Sequence, residues 1–209
     1  KKELAAEVLE DAFTYNKNRK TKSRIAFLRG QILASLGKKS EARESFAAAY
    51  KYANSYEFEV KSQIEIAKTF DGKADSYEEA MAYLDKIAKK GTYASRKNEL
   101  YYASGLVAAS ATKDSIADSF FRKALKEKQS DPQIRGLTYS ELAKKYFAKD
   151  DYLTAGIYYD SALAVMTYKP EKDRLTELTA NIKKLSKNYY IVKKNDSILA
   201  LTKMTDAEK

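Results

Sequence analysis

The side chains best placed to do chemistry are carboxylates, Asp150-Asp151 at one point of the chain and Asp71 at another. Either could hold a cation. Both lie in polar breaks between helical patterns, where an Asp side chain ordinarily caps the next helix, and capping is the expectation. Histidine and cysteine are absent. That removes the commonest general base, the commonest metal ligand, thiolate chemistry and disulfides. No glycine-rich phosphate loop is present; Gly30 and Gly37 fall at packing and turn positions. The expectation is a protein that is not an enzyme and uses no metal and no cofactor. Lack of cysteine fits a reducing cytosol or a bacterial periplasmic protein that needs no disulfides.

Charge raises other chemistry. The chain carries 39 Lys+Arg against 29 Asp+Glu, a formal net charge of +10. An anionic partner would suit this: nucleic acid, a lipid surface or an acidic protein. Basic and acidic residues are interspersed along every helical pattern, so a solvated lysine-rich surface is the plainer reading. Only Lys17–Arg24 and Lys183–Lys194 are locally basic. The 17 tyrosines and 8 phenylalanines mostly follow core spacing. A surface for stacking bases would need them exposed beside basic residues, and only Tyr189-Tyr190 fits loosely. No nucleic-acid partner is expected. No stretch approaches the ~18 apolar residues of a membrane helix, and no signal-peptide pattern is read within these residues.

The elements that would position these groups are helices. With 7 Gly and 2 Pro in 209 residues and 44% hydrophobic residues, breakers are too few for a β-rich chain. A repeat then emerges. Second helices read Ala42, Phe46, Ala49; Ala80, Leu84, Ile87; Ala117, Phe121, Ala124; and Ala155, Tyr159, Ala162. The leading alanines recur at 38, 37 and 38 residues. Steps of four and three put each triplet on one helix face. First helices carry Ala26, Gly30, Leu33; Ile66, Ala67, Phe70; Tyr101, Gly105, Ala108; and Tyr139, Leu142, Ala143, Tyr146. The second unit is out of step by one residue, and Asp71–Ser76 reads as a lengthened turn.

The predicted division is residues 23–55, 56–91, 98–130 and 132–168 as four helix-turn-helix repeats. Counting back from Ala42 finds Ala5, Leu9 and Ala12, so residues 1–16 read as the second helix of a further repeat whose first helix precedes residue 1. Residues 171–194 form a different helix. Leu175, Leu178, Ile182, Leu185, Tyr189 and Val192 alternate in steps of three and four, a coiled-coil-like seam. It reads as a cap on the last repeat or as a docking seam for a partner helix; Tyr190 and Ile191 lie off the seam. Residues 195–209 read as a short helix begun at Asp196 or Ser197, then a tail.

The pattern over residues 23–167 resembles the tetratricopeptide (TPR) family. It departs from it in a period of 37 to 38 where ~34 is usual, in lacking tryptophan, and in having boundary prolines only at Pro132 and Pro170. The resemblance implies an all-α, right-handed superhelical solenoid ending in a capping helix. First helices of such a solenoid line a groove. Periodicity places Arg24, Phe27 and Gln31; Lys61, Ile64 and Lys68; Glu99, Tyr102 and Leu106; and Leu137, Ser140 and Lys144 along it. That is a mixed basic and apolar trough for a protein segment with some acidic character. Phe27, Tyr102 and Ser140 stand where carboxylate-clamp TPR domains carry Lys, Asn and Arg, so that clamp is not expected.

Four stretches carry a narrower likeness: Phe27–Lys51, Tyr56–Lys68, Leu142–Met166 and the tail NDSILALTKMTDAEK, with YYDSAL after a DDY turn. They resemble the SprE/PorW family of TPR lipoproteins of Bacteroidota. The resemblance implies a periplasmic protein anchored to the outer membrane through a lipidated cysteine outside this segment. It implies a role in type IX protein secretion and gliding motility, with ring or translocon subunits as protein partners. A peptidoglycan-associated or outer-membrane assembly factor and a cytosolic TPR adaptor are the competing readings.

Overall fold

A computed structural model describes residues 1–70, 74–89, 91–128 and 131–203, all helices and turns. In order these are α1 (Lys2–Tyr15), α2 (Arg19–Ser35), α3 (Lys39–Tyr52), α4 (Tyr56–Lys68), α5 (Ala74–Ala88), a 3₁₀ turn (Gly91–Arg96), α6 (Lys97–Ser110), α7 (Asp114–Lys126), α8 (Pro132–Phe147), α9 (Tyr152–Val165) and α10 (Lys169–Lys203). They form two compact units, residues 1–129 and 130–209. In the first unit α2 packs along α3 and α6 along α7, and each pair meets its neighbours through α1–α2, α3–α4, α4–α6 and α5–α6. In the second unit α9 packs between α8 and α10.

The repeat read from spacing is a repeat of packing. All twelve residues of the four Ala–large–Ala/Ile triplets are buried, none more than 5% exposed. The large member fills space that the first helix leaves open. A Cβ added to Gly30 would stand 2.7 Å from the Phe46 ring, and one added to Gly105 would stand 2.4 Å from Phe121. Both glycines precede their aromatic by 16 residues. So the glycine is required by close helix approach, with the aromatic seated over it. In the second unit Tyr159 joins Ala143, Ala155, Ala162, Met166, Leu175 and Ile182 in one core cluster.

The turns repeat as well. Lys38 N–H donates to Leu33 O at 3.0 Å, Lys113 N–H to Ala108 O at 2.9 Å and Asp151 N–H to Tyr146 O at 3.0 Å. Each is the long bond of a Schellman helix end, whose closing residue is left-handed. Those residues are Gly37 (φ 78°), Thr112 (φ 56°) and Asp150 (φ 59°).

Three boundaries differ from the sequence expectation. Helix α2 begins at Arg19, ahead of residue 23, because the Asn18 side chain caps it by accepting from Thr21 N–H at 3.0 Å. The turn read as Asp71–Ser76 is shorter, since α5 already runs from Ala74; Asp71 itself lies outside the described residues. Helix α10 continues through Asn195 to Lys203, so no separate helix begins at Asp196 or Ser197. No Gly or Pro occurs between Pro170 and Lys203, and Asn, Asp and Ser alone cost a helix too little to break it. Residues 204–209 of the expected tail lie outside the described residues.

Candidate interaction surfaces

The twelve groove positions do not form one exposed trough. Arg24, Gln31 and Lys144 are exposed. Lys61 pairs with Glu57 at 2.9 Å, Lys68 with Glu65 at 2.6 Å and Lys144 with Glu141 at 2.6 Å. The apolar positions turn inward. The Phe27 ring meets Phe46 at 5.4 Å and Phe58 at 5.1 Å between centroids. Ile64 is 5% exposed and Tyr102 is 6% exposed, with the Tyr102 ring against Phe121. Leu106 is half-buried, and Leu137 packs on the second-unit core. Ser140 is buried, and Glu99 is 9% exposed in a two-pronged pair with Arg96 at 2.8 and 2.9 Å.

The expectation of exposed apolar groove residues is therefore corrected: Ile64 and Tyr102 are buried, and Phe27 is half-buried against the Phe46 cluster. The reason is that α4 lies against α6 as well as against the helices on its other flanks. The face left over after pairing with α5 is thereby taken by the next first helix. What remains outside is polar and mostly basic.

Asp151 and Asp131 cap helices, and Asp150 binds a side chain instead. Asp151 Oδ1 accepts from Thr154 N–H at 3.1 Å, Asp131 Oδ1 accepts from Gln133 and Ile134 N–H at 2.8 and 3.1 Å, and Asp150 accepts from the Tyr152 hydroxyl at 2.6 Å. No group of three or more acidic residues able to hold a metal occurs among the described residues. No helix among them is long and apolar enough to cross a membrane.

Clefts recur between successive second helices. One, near 340 Å³, lies among α1, α2 and α3 and is lined by Glu3, Glu7, Glu10 and Glu41. Arg29 also lines it, paired with Glu10 and donating to Ser45 Oγ at 2.7 Å. A second, near 310 Å³, lies among α3, α4 and α5 and holds Tyr83. Burial pushes the Tyr83 hydroxyl up to about 12. A third, near 360 Å³, is lined by Met81, Leu84, Tyr101 and Phe120.

The seam expected on the last helix divides into two rows. Leu175 and Ile182 are buried in the α8–α9–α10 core, and the Tyr189 ring meets Tyr152 edge-on at 5.2 Å. Leu178, Leu185 and Val192 are exposed. One row packs on α9 and the other does not. Sequence reasoning missed Gln133. Its Oε1 accepts from Thr167 and Tyr168 N–H at 3.0 and 2.9 Å, fastening the α9–α10 corner. Nothing in the local pattern marks this contact, because the residues are more than 30 apart.

No protein-family model matches the chain, and no curated protein matches it.

Proposed function

We propose that this chain is a non-catalytic scaffold of TPR-type repeats that binds other proteins, arranged as a right-handed superhelix. The observation that carries this reading is the repeated helix pair, with the same Schellman turn at Leu33–Lys38, Ala108–Lys113 and Tyr146–Asp151. The same aromatic-over-glycine lock recurs at Phe46 and Phe121. Stacked pairs of this kind bury a continuous core and leave long helix faces free for partners. The likeness of Phe27–Lys51, Tyr56–Lys68 and Leu142–Met166 to SprE/PorW proteins supports a periplasmic place, tethered to the outer membrane by a lipid anchor outside this segment. There the scaffold links ring and translocon parts of the type IX secretion machinery.

A second reading, a peptidoglycan-associated factor, is favoured by one observation. Lys22 lies 4.8 Å over the Phe13 ring and 5.4 Å over the Tyr52 ring, with Arg19 5.8 Å from Tyr52. This basic and aromatic cluster suits an anionic polymer.

The test is cross-linked affinity capture from Bacteroidota envelopes, with mass spectrometry. The chain is compared with an Arg24→Glu, Lys61→Glu, Lys144→Glu variant, which alters only surface positions and keeps the Phe27 and Tyr102 packing. Recovery of type IX ring or translocon subunits by the chain and their loss with the variant is the expected result. Their absence from both captures overturns the secretion reading, and retention on purified cell-wall sacculi instead supports the second.

A further inference from the structure

Helix α10 has 35 residues and α9 has 14. At ~1.5 Å per residue these span about 52 and 21 Å. The two run antiparallel from the corner at Met166–Tyr168, and the Tyr152–Tyr189 contact marks where α9 begins. Beyond Tyr189 α10 has no α9 beside it.

Along α10 runs a row of apolar residues at seven-residue steps: Leu178, Leu185, Val192 and Leu199, exposed by 45, 42, 56 and 56%. A seven-residue step keeps a row on one slowly drifting line, the geometry of a coiled-coil seam. One edge of the row adjoins the side that packs on α9, since Leu175, Ile182 and Tyr189 precede its members by three residues. On its other edge, helical spacing sets Asn181, Asn188 and Asn195, and beyond them Lys184, Lys187 and Lys194, all exposed. Between Leu178 and Asn195 there are five lysines and no Asp or Glu.

Resting on the scaffold reading above, we infer that this row is the docking seam for an amphipathic helix of a partner protein, with leucine-like residues at heptad spacing and acidic residues on its flanks. Charge selects this occupant. A second copy of α10 would bring its own lysine-rich stretch against this one, and like charges across a seam disfavour pairing. From Leu178 to Leu185 the row is narrow, one residue every two turns with Asn181 and Asn188 beside it; farther along, exposed Ile191 and Ile198 stand past Asn195 and are set off from the row by it. A helix fits such a line by knobs-into-holes packing, whereas insertion into a lipid surface needs a broad apolar face.

The test uses the whole chain and three labelled synthetic helical peptides. One has a leucine heptad seam flanked by Glu, one has Lys in place of Glu, and one has Ser in place of Leu. Fluorescence anisotropy should show the Glu-flanked peptide binding at least tenfold tighter than either other. Leu185→Ser with Val192→Ser should weaken it at least tenfold without changing helix content, since both side chains are exposed. Lys184→Glu with Lys187→Glu should weaken the Glu-flanked peptide and strengthen the Lys-flanked one.

Equal binding of the Glu- and Lys-flanked peptides overturns the proposal, as does indifference to these variants. So does a sedimenting dimer of the chain that Leu185→Ser with Val192→Ser abolishes, and so does displacement of the Glu-flanked peptide by anionic vesicles. Envelope capture repeated with the Leu185→Ser, Val192→Ser chain separates the two readings. Peptide failure with envelope partners retained sinks the seam alone; absence of any envelope partner on either chain sinks the scaffold reading.

Discussion

At the scale of single residues, two positions carry the repeat. Gly105 lies under the Phe121 ring, so Gly105→Ala must push that ring aside in a closed core. Overpacking of this kind costs about 1–3 kcal/mol, and chemical denaturation of the variant should show it. Thr112 has the opposite sign. It is β-branched and left-handed at φ 56°, while Gly37 fills the matching turn. Thr112→Gly should raise stability by about 1 kcal/mol, the strain that a non-glycine residue pays there. Tyr83 adds a pH dependence. Its hydroxyl is held neutral up to about 12, above the usual ~10. Its contribution is whole below pH 10 and is lost as pH rises toward 12, because the unfolded chain releases that proton first. Thermal melts at pH 9 and 11.5 should therefore fall further for the parent than for Tyr83→Phe.

At the scale of elements, caps and corners decide where helices start and turn. Helix α8 opens with Asp131 as its cap and Pro132 in its first turn, where a missing N–H costs nothing. Asp131→Ala should destabilise the chain by about 1 kcal/mol, and amide exchange should quicken first at Gln133 and Ile134. Corners are set over distance. Gln133 binds the backbone at Thr167 and Tyr168 while its Nε2 donates to Glu171 at 3.3 Å. One side chain on α8 thus fixes where α9 ends and α10 begins. Gly136 serves the same corner, since a Cβ there would meet Met166 at 2.5 Å.

At the scale of the molecule, stability is a sum over neighbouring helix pairs, and each unit holds its own buried core. Phe121 is 1% exposed and belongs to the first unit. Phe121→Ala should cost about 3–5 kcal/mol. Hydrogen exchange should show the loss of protection across α6 and α7 and leave α8 and α9 protected, as expected where each repeat contacts only its neighbours. Uniform loss over both units would mean that they unfold as one.

The sequence by itself determined the all-helical class, the Ala–large–Ala/Ile faces and the turns at Gly37 and Asp150. Each depends on residues within one helix turn or one helix pair, where spacing and stereochemistry suffice. Spacing put Gly30 and Gly105 on first-helix faces, but only the packing set an aromatic over each. Only the tertiary structure decided which leftover faces meet water. Phe27 and Ile64 stand on helix faces with Arg24, Lys61 and Lys68, and Tyr102 on one with Glu99; how far each is covered depends on helices arriving alongside. The seam on α10 split for the same reason: α9 is too short to cover it and lies to one side. Periodicity defines a face, but burial is a contact between faces brought together from distant parts of the chain.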